Sequence, residues 1–260
     1  KPRVIHTQAQ VSFFIVALLK KFKLISYQDF VFIHTERGLY ISYNVFFKKL
    51  FSFFMKELDT LITTTKFNLG YWKNMLTQQG LTVNYKVIEN TAGQLFESFE
   101  KTLVKRESEN LVLGFAGRYS EQKNWPLAIE IIKQLNKKIG NKLYIEMAVG
   151  CLDLKSEKKA REMFDILQRL LGKRFNGRIN INLESMNKFY YEIDIFILTS
   201  KLNSESFGRT LVEAMSRETV VLTTDAGGPV EVVENNDFVL NSSREFVEKI
   251  LEFHYDRKEM

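Results

Sequence analysis

Residues Leu111–Lys138 read LVLGFAGRYSEQKNWPLAIEIIKQLNKK. The stretch opens on an apolar run of strand length, Leu111–Ala116, and turns at Gly117. It then passes into Trp125–Lys138, where apolar residues recur at a helical period. A buried strand feeding a helix through a short glycine turn is the first half of a βαβ unit. Downstream the alternation continues. It predicts strands at Leu143–Val149, Arg178–Leu183, Ile193–Thr199 and Val220–Thr223, and helices at Ser156–Leu171, Gly208–Ser216 and near Arg244–Phe253, with a short one before Ile193. Upstream, Lys1–His6 enters a strand-like run, followed by predicted strands at Phe30–Thr35, Asp59–Thr65 and Tyr85–Ile88. Helices over Ser42–Glu57 and Lys66–Gln79 lie between these strands. The expected class is α/β with two Rossmann-like parallel-sheet domains. The charged stretch Leu103–Asn110 marks the expected boundary, giving a partial domain over 1–105 and a fuller one over 106–260.

Composition narrows the chemistry. The 260 residues are 45% hydrophobic and 26% charged, an ordinary globular balance. One cysteine, Cys151, rules out a disulfide scaffold and a thiolate cluster, and the separated His6, His34 and His254 argue against a histidine zinc site. No metal ligand set is therefore expected. No apolar run approaches the roughly 18 residues of a membrane span. The formal net charge of +6 suits an anionic partner: a phosphorylated small molecule, an anionic membrane surface or nucleic acid. Nucleic acid ranks last, because the sequence contains no recognised reader motif.

In open α/β sheets ligands sit outside the carboxyl ends of the strands, so the residues after each strand are the ones to read. After Leu111–Ala116 comes Gly117-Arg118-Tyr119-Ser120-Glu121-Gln122-Lys123-Asn124. It is neither a dinucleotide fingerprint nor a P-loop. It offers a glycine turn and two cations, a guanidinium fork and an ammonium, both suited to phosphate oxygens; an ordinary solvated loop is the plainer reading. After Ile193–Thr199 comes SKLNSESFGR, then TLVEAM. Glutamates eight apart occur three times, as Glu89/Glu97, Glu184/Glu192 and Glu205/Glu213, so spacing alone decides nothing. Only the third pair has a strand-end loop at one member and a helix start at the other. Gly208 between them lets backbone approach a ligand closely, and a helix start offers free N–H groups to phosphate. Val220–Thr223 ends in TDAGGPVE, another tight turn before a short helix.

In order, G-R-x4-K-N, D-I-F-I-L-T-S, E-S-F-G-R-T-L-V-E-A-M and V-V-L-T-T-D-A-G-G-P-V-E-V-V resemble the nucleotide-sugar domain of glycosyltransferase family 4, over about Leu111–Val239. The resemblance implies the two-domain GT-B architecture and transfer of a sugar, with retention, from a nucleotide-diphosphate sugar to a glycan or lipid-linked glycan. It implies catalytic roles for Arg118 and Lys123 at the diphosphate and for Glu205 at donor-sugar hydroxyls. Gly117, Phe207, Gly208, Arg209 and Thr210 would line the donor, and Glu213 would accept from both ribose hydroxyls. Departure of the diphosphate would be assisted by protein cations rather than a metal, and no cofactor is implied beyond the donor. His34 falls at a strand-end position resembling the family's acceptor-side histidine, although the surrounding I-H-T-E-R-G differs and a structural role is the plainer reading of a lone histidine. Three positions depart from the family pattern: Thr91 follows Asn90 where glycine is usual, Arg209 stands at an apolar position, and Arg217 replaces a glycine-like neighbourhood.

The family's N-terminal glycine-rich loop is missing from the sequence. The expectation is accordingly a chain truncated at its N-terminus and ending before the helix that closes the family fold. A non-catalytic subunit that binds a nucleotide sugar or a partner without turnover is the alternative. Asn44–Leu58 (NVFFKKLFSFFMKEL) reads first as a helix packed on its own sheet and second as a basic aromatic helix on an anionic membrane. The implied location is cytoplasmic and peripheral at the membrane.

Overall fold

A computed structural model describes residues 3–25, 30–103 and 108–256. The chain forms two compact units, Lys1–Asn90 with Ser204–Phe207, and Thr91–Asn203 with Gly208–Met260. The sequence reading puts the boundary at 105/106. Residues 91–103 instead group with the second unit, because Arg217 of that unit donates to the Leu95 and Phe96 carbonyls.

The first unit is a four-stranded parallel sheet in the order β1-β2-β3-β4, with β1 Arg3–Thr7, β2 Phe30–Glu36, β3 Thr60–Thr63 and β4 Asn84–Val87. Helices α1 Gln10–Lys21, α2 Val45–Phe54 and α3 Lys66–Gln78 form its crossovers. Its core is aromatic, with Phe13, Phe32, Phe51 and Trp72 fully enclosed. Caps at Asn44 and Thr65, which accept from Phe47 N and Asn68 N, start α2 and α3. The predicted helix over Ser42–Glu57 is α2 flanked by single 3-10 turns. Helix α1 has no counterpart among the sequence expectations. Its run Val11–Leu19 is apolar almost all round, which blurs the helical period that would have announced it.

The second unit is a five-stranded parallel sheet, β7-β6-β5-β8-β9, formed by β5 Leu111–Arg118, β6 Leu143–Gly150, β7 Phe175–Ile179, β8 Ile195–Leu198 and β9 Val220–Thr223. Helices α4 Trp125–Ile139, α5 Leu154–Leu171, α6 Leu183–Tyr191, α7 Arg209–Met215, α8 Gly228–Val233 and α9 Ser243–Tyr255 follow the alternation. The core lies between the buried β5, β6 and β8 side chains and those of α4, α5 and α9. The strand expected at Arg178–Leu183 is corrected to Phe175–Ile179. The alternating Ile179, Ile181 and Leu183 imitate a strand, but Asn182 caps α6 by accepting from Ser185 N, and the chain is helical from Leu183. The sheet winds out from β5 to β7 and then crosses back to β8 on the other side of β5. That reversal makes the carboxyl ends of β5 and β8 the topological switch point, the place where open α/β sheets hold ligands in a crevice.

Candidate active site

Three strand-end segments meet at this crevice. Gly117 and Arg118 complete β5, and a single 3-10 turn, Glu121–Lys123, leads to α4. A Cβ at Gly117 would stand 3.0 Å from Lys123 Cε, so glycine there lets the lysine stem cross the strand end. Arg118 is exposed and Lys123 half-buried. This turn is laced to the segment after β8: Thr199 Oγ1 donates to the Lys123 carbonyl at 2.9 Å, and Lys201 N donates to the Gln122 carbonyl at 2.8 Å. The post-β8 segment is bound in turn to the one after β9. Thr224 N donates to the Leu198 carbonyl at 3.1 Å, and Thr224 Oγ1 donates to the Ser200 carbonyl.

The start of α7 joins the same group. Gly208 caps it with φ +95°, a conformation that L side chains rarely adopt. A Cβ there would also come within 3.1 Å of Leu211 Cδ1 and Pro229 Cγ. The Gly227-Gly228-Pro229 turn that begins α8 is thereby packed on the first turn of α7. Thr210, on that turn, is half-buried. Glu205 is half-buried and Phe207 buried, on the loop preceding α7.

Glu213 is the most constrained carboxylate of the site, with a side chain 8% exposed. Tyr190 Oη, from α6, donates to its Oε2 at 2.8 Å, and Arg209 Nε donates to its Oε1 at 2.9 Å. Burial pushes the Glu213 carboxyl above the ordinary glutamate range, and the Tyr190 and Arg209 hydrogen bonds oppose that shift. Tyr190 is itself raised well above an ordinary phenol, first by burial and then by the Glu213 charge. Arg209 also reaches the Ala92 carbonyl at 3.4 Å. The apolar-position arginine thus finds a purpose: it neutralises a buried carboxylate one helical turn away. Each Glu213 oxygen keeps a second lone pair for a hydroxyl donor.

Sequence reasoning missed Tyr190 and Arg217. Tyr190 reads as one aromatic among several in KFYYEI, and nothing local marks its hydroxyl as paired. Arg217 is buried, with Nε donating to Asn187 Oδ1 at 2.6 Å and the remaining donors to the Leu95, Phe96 and Ser216 carbonyls. Its guanidinium stacks near the Phe96 and Tyr191 rings, 4.9 and 5.1 Å away.

His34 lies inside the first unit. It is fully enclosed, with Thr7 Oγ1 2.9 Å from Nδ1, Glu36 Oε2 3.4 Å from Nε2, and the Phe13 ring 4.6 Å from its own. Through Thr7 it ties β1 to β2. Among the described residues, no three His, Cys, Asp or Glu side chains converge as metal ligands would, and no helix is long and apolar enough to cross a membrane.

Similarity to known proteins accords with this architecture. Two mannosyltransferases match in sequence, both named GDP-Man:Man(3)GlcNAc(2)-PP-Dol alpha-1,2-mannosyltransferase. The Caenorhabditis elegans protein is 23% identical over 185 residues, 67% of this chain and 39% of that protein. The mouse protein is 27% identical over 130 residues, 48% of this chain and 26% of that protein. The chain thus spans well under half the length of either relative. Among solved structures, Anabaena Alr3699/HepE in complex with UDP and glucose superposes with a TM-score of 0.72 at 19% identity, covering 98% of this chain and 69% of that one. Two parallel-sheet units of this kind are the GT-B fold of such neighbours. The model of the family described as Glycosyl transferases group 1 matches residues 96–260, which cover the second sheet and every strand-end segment of the crevice, and the chain belongs to that family.

Proposed function

We propose that the protein transfers a hexose from a nucleotide-diphosphate sugar to a lipid-linked glycan, with retention of configuration and without a metal. The observation that supports this reading is the lacing of the segments after β5, β8 and β9 to one another at the carboxyl ends of the strands, next to a helix α7 whose Glu213 is buried and paired. Arg118 and Lys123 hold the diphosphate and offset the charge that grows on it as it leaves. Glu213, held by Tyr190 and Arg209, accepts from the ribose hydroxyls through its remaining lone pairs. Glu205 accepts from donor-sugar hydroxyls, and Gly208 gives the backbone the positive φ that starts α7 beside the sugar. The anomeric C–O bond to the diphosphate breaks and the acceptor oxygen bonds the same carbon from the same face. The acceptor proton passes to a diphosphate oxygen, so no protein nucleophile is required.

The two curated relatives favour GDP-mannose as donor and a pyrophosphate-linked lipid glycan as acceptor. The test is transfer of labelled mannose from GDP-mannose to a dolichyl-pyrophosphate oligosaccharide, with and without EDTA. The expected product is α-linked and forms equally in the chelator. A β-linked product would overturn retention, and loss of turnover in EDTA would overturn metal independence. Binding of donor without any transfer would favour the non-catalytic alternative.

A further inference from the structure

The first unit has an outward face that its own fold leaves uncovered. On α1, Val11, Ile15, Leu18 and Phe22 follow the spacing of one helix face, opposite the buried Phe13 and Ala17. On the adjoining α2, Val45, Phe46 and Phe53 share a face with Lys49 and Lys56. These seven apolar side chains are between 43% and 70% exposed. The two helices lie side by side. Phe14 of α1 packs on Phe47, Phe51 and Phe54 of α2, and Lys21 Nζ stands 4.3 Å from the centre of the Phe53 ring. The two faces therefore form one patch, of a kind that monomeric proteins rarely expose without use.

Charge identifies what the patch would meet. Residues 10–22 and 44–56 contain no Asp or Glu. Lys20 is buried and turned inward to Asp59 at 3.1 Å, so the cations this face presents are Lys49 and Lys56, both exposed, with the half-buried Lys21 and Lys48 beside them. The adjacent Glu57 is buried and paired with Lys21 at 3.6 Å. Residues 1–90 hold 12 Lys and Arg against 5 Asp and Glu, whereas residues 91–260 hold 25 against 26. The whole net positive charge of the chain thus sits on the unit that bears the patch. Phenylalanine and branched aliphatics with lysine alone around them match an anionic bilayer, with rings at the acyl boundary and ammonium groups at the headgroups.

We propose that the outward face of α1 and α2 docks on an anionic lipid surface. The proposal stands on this surface alone and not on the transferase reading, and its test needs no turnover. Flotation with phosphatidylcholine vesicles, with and without phosphatidylserine, reads it directly. The chain is expected to float with the phosphatidylserine vesicles at low salt and to release as salt rises. The triple variant Ile15→Ser, Phe46→Ser, Phe53→Ser is expected to bind at least about tenfold more weakly. The pair Lys49→Glu, Lys56→Glu changes only exposed charges, so its folding is not at stake, and it too is expected to lose about tenfold or more. Failure of the unaltered chain to float with anionic vesicles would overturn the proposal, as would flotation that neither variant weakens. A self-associating chain that dissociates in the triple variant, without flotation, would assign the face to a second copy instead.

Discussion

Glu213 sets the behaviour of the site at the scale of single residues. Its carboxyl is raised by burial, so the folded state holds its proton more tightly than the unfolded chain does. The contribution of this group to stability is fully present below the ordinary glutamate value and is lost as pH rises through the folded value. Ribose recognition runs the other way, because hydroxyl donors need the ionised acceptor. Nucleotide affinity is therefore expected to fall on acidification through a midpoint above the ordinary glutamate range. Calorimetry across pH checks this, and in Glu213→Gln that pH step is expected to vanish. Arg118 offers a cleaner separation of binding from folding. It is exposed at the end of β5, so Arg118→Ala should leave the melting temperature nearly unchanged. Its loss should nevertheless weaken nucleotide-sugar binding by about ten- to a hundredfold, on the order of a charged hydrogen bond of 1.5–3 kcal/mol.

The elements around α7 show how local sequence builds the site. Gly208 must adopt positive φ while Leu211 and Pro229 close in on it. Gly208→Ala is expected to cost about 1–2 kcal/mol from backbone alone, read as a lower midpoint in denaturant. Past the far end of α7, the buried Arg217 donates to four acceptors, Asn187 Oδ1 and the Leu95, Phe96 and Ser216 carbonyls. Arg217→Met should destabilise by about 3 kcal/mol, because the stranded buried carbonyls lose their donors. Arg217→Lys should recover only part of that, since a point charge cannot replace the fork. The strand-helix alternation of the second unit was legible because β5, β6 and β8 are continuous apolar runs and their helices are amphipathic. The strand-end residues Gly117, Arg118, Lys123, Gly208 and Glu213 were legible by their order along the chain. What was not legible depends on partners distant in sequence. Tyr190 finds Glu213 only through the packing of α6 on α7, and Arg217 finds carbonyls 121 and 122 residues away. Helix α1 escaped for a different reason: the exposed Val11, Ile15, Leu18 and Phe22 erase the polar face that periodicity relies on.

For the molecule as a whole, charge and chemistry are divided between the two units. The second unit, near neutral over residues 91–260, carries the family match and the segments after β5 and β9, while Ser204–Phe207, with Glu205, groups with the first. The first carries the excess positive charge and the uncovered α1–α2 face. Substrate recognition by the second unit should accordingly tolerate the exposed-lysine changes that abolish vesicle binding by the first. The central claim is that the β5/β8 crevice binds a nucleotide-diphosphate sugar through Arg118, Lys123 and Glu213. Isothermal titration of the chain with GDP-mannose tests this most directly. Saturable binding that weakens at least about tenfold in Arg118→Ala is the expected result. The absence of saturable heat with GDP-mannose, UDP-glucose and ADP-glucose alike, from a chain that melts cooperatively, would contradict it.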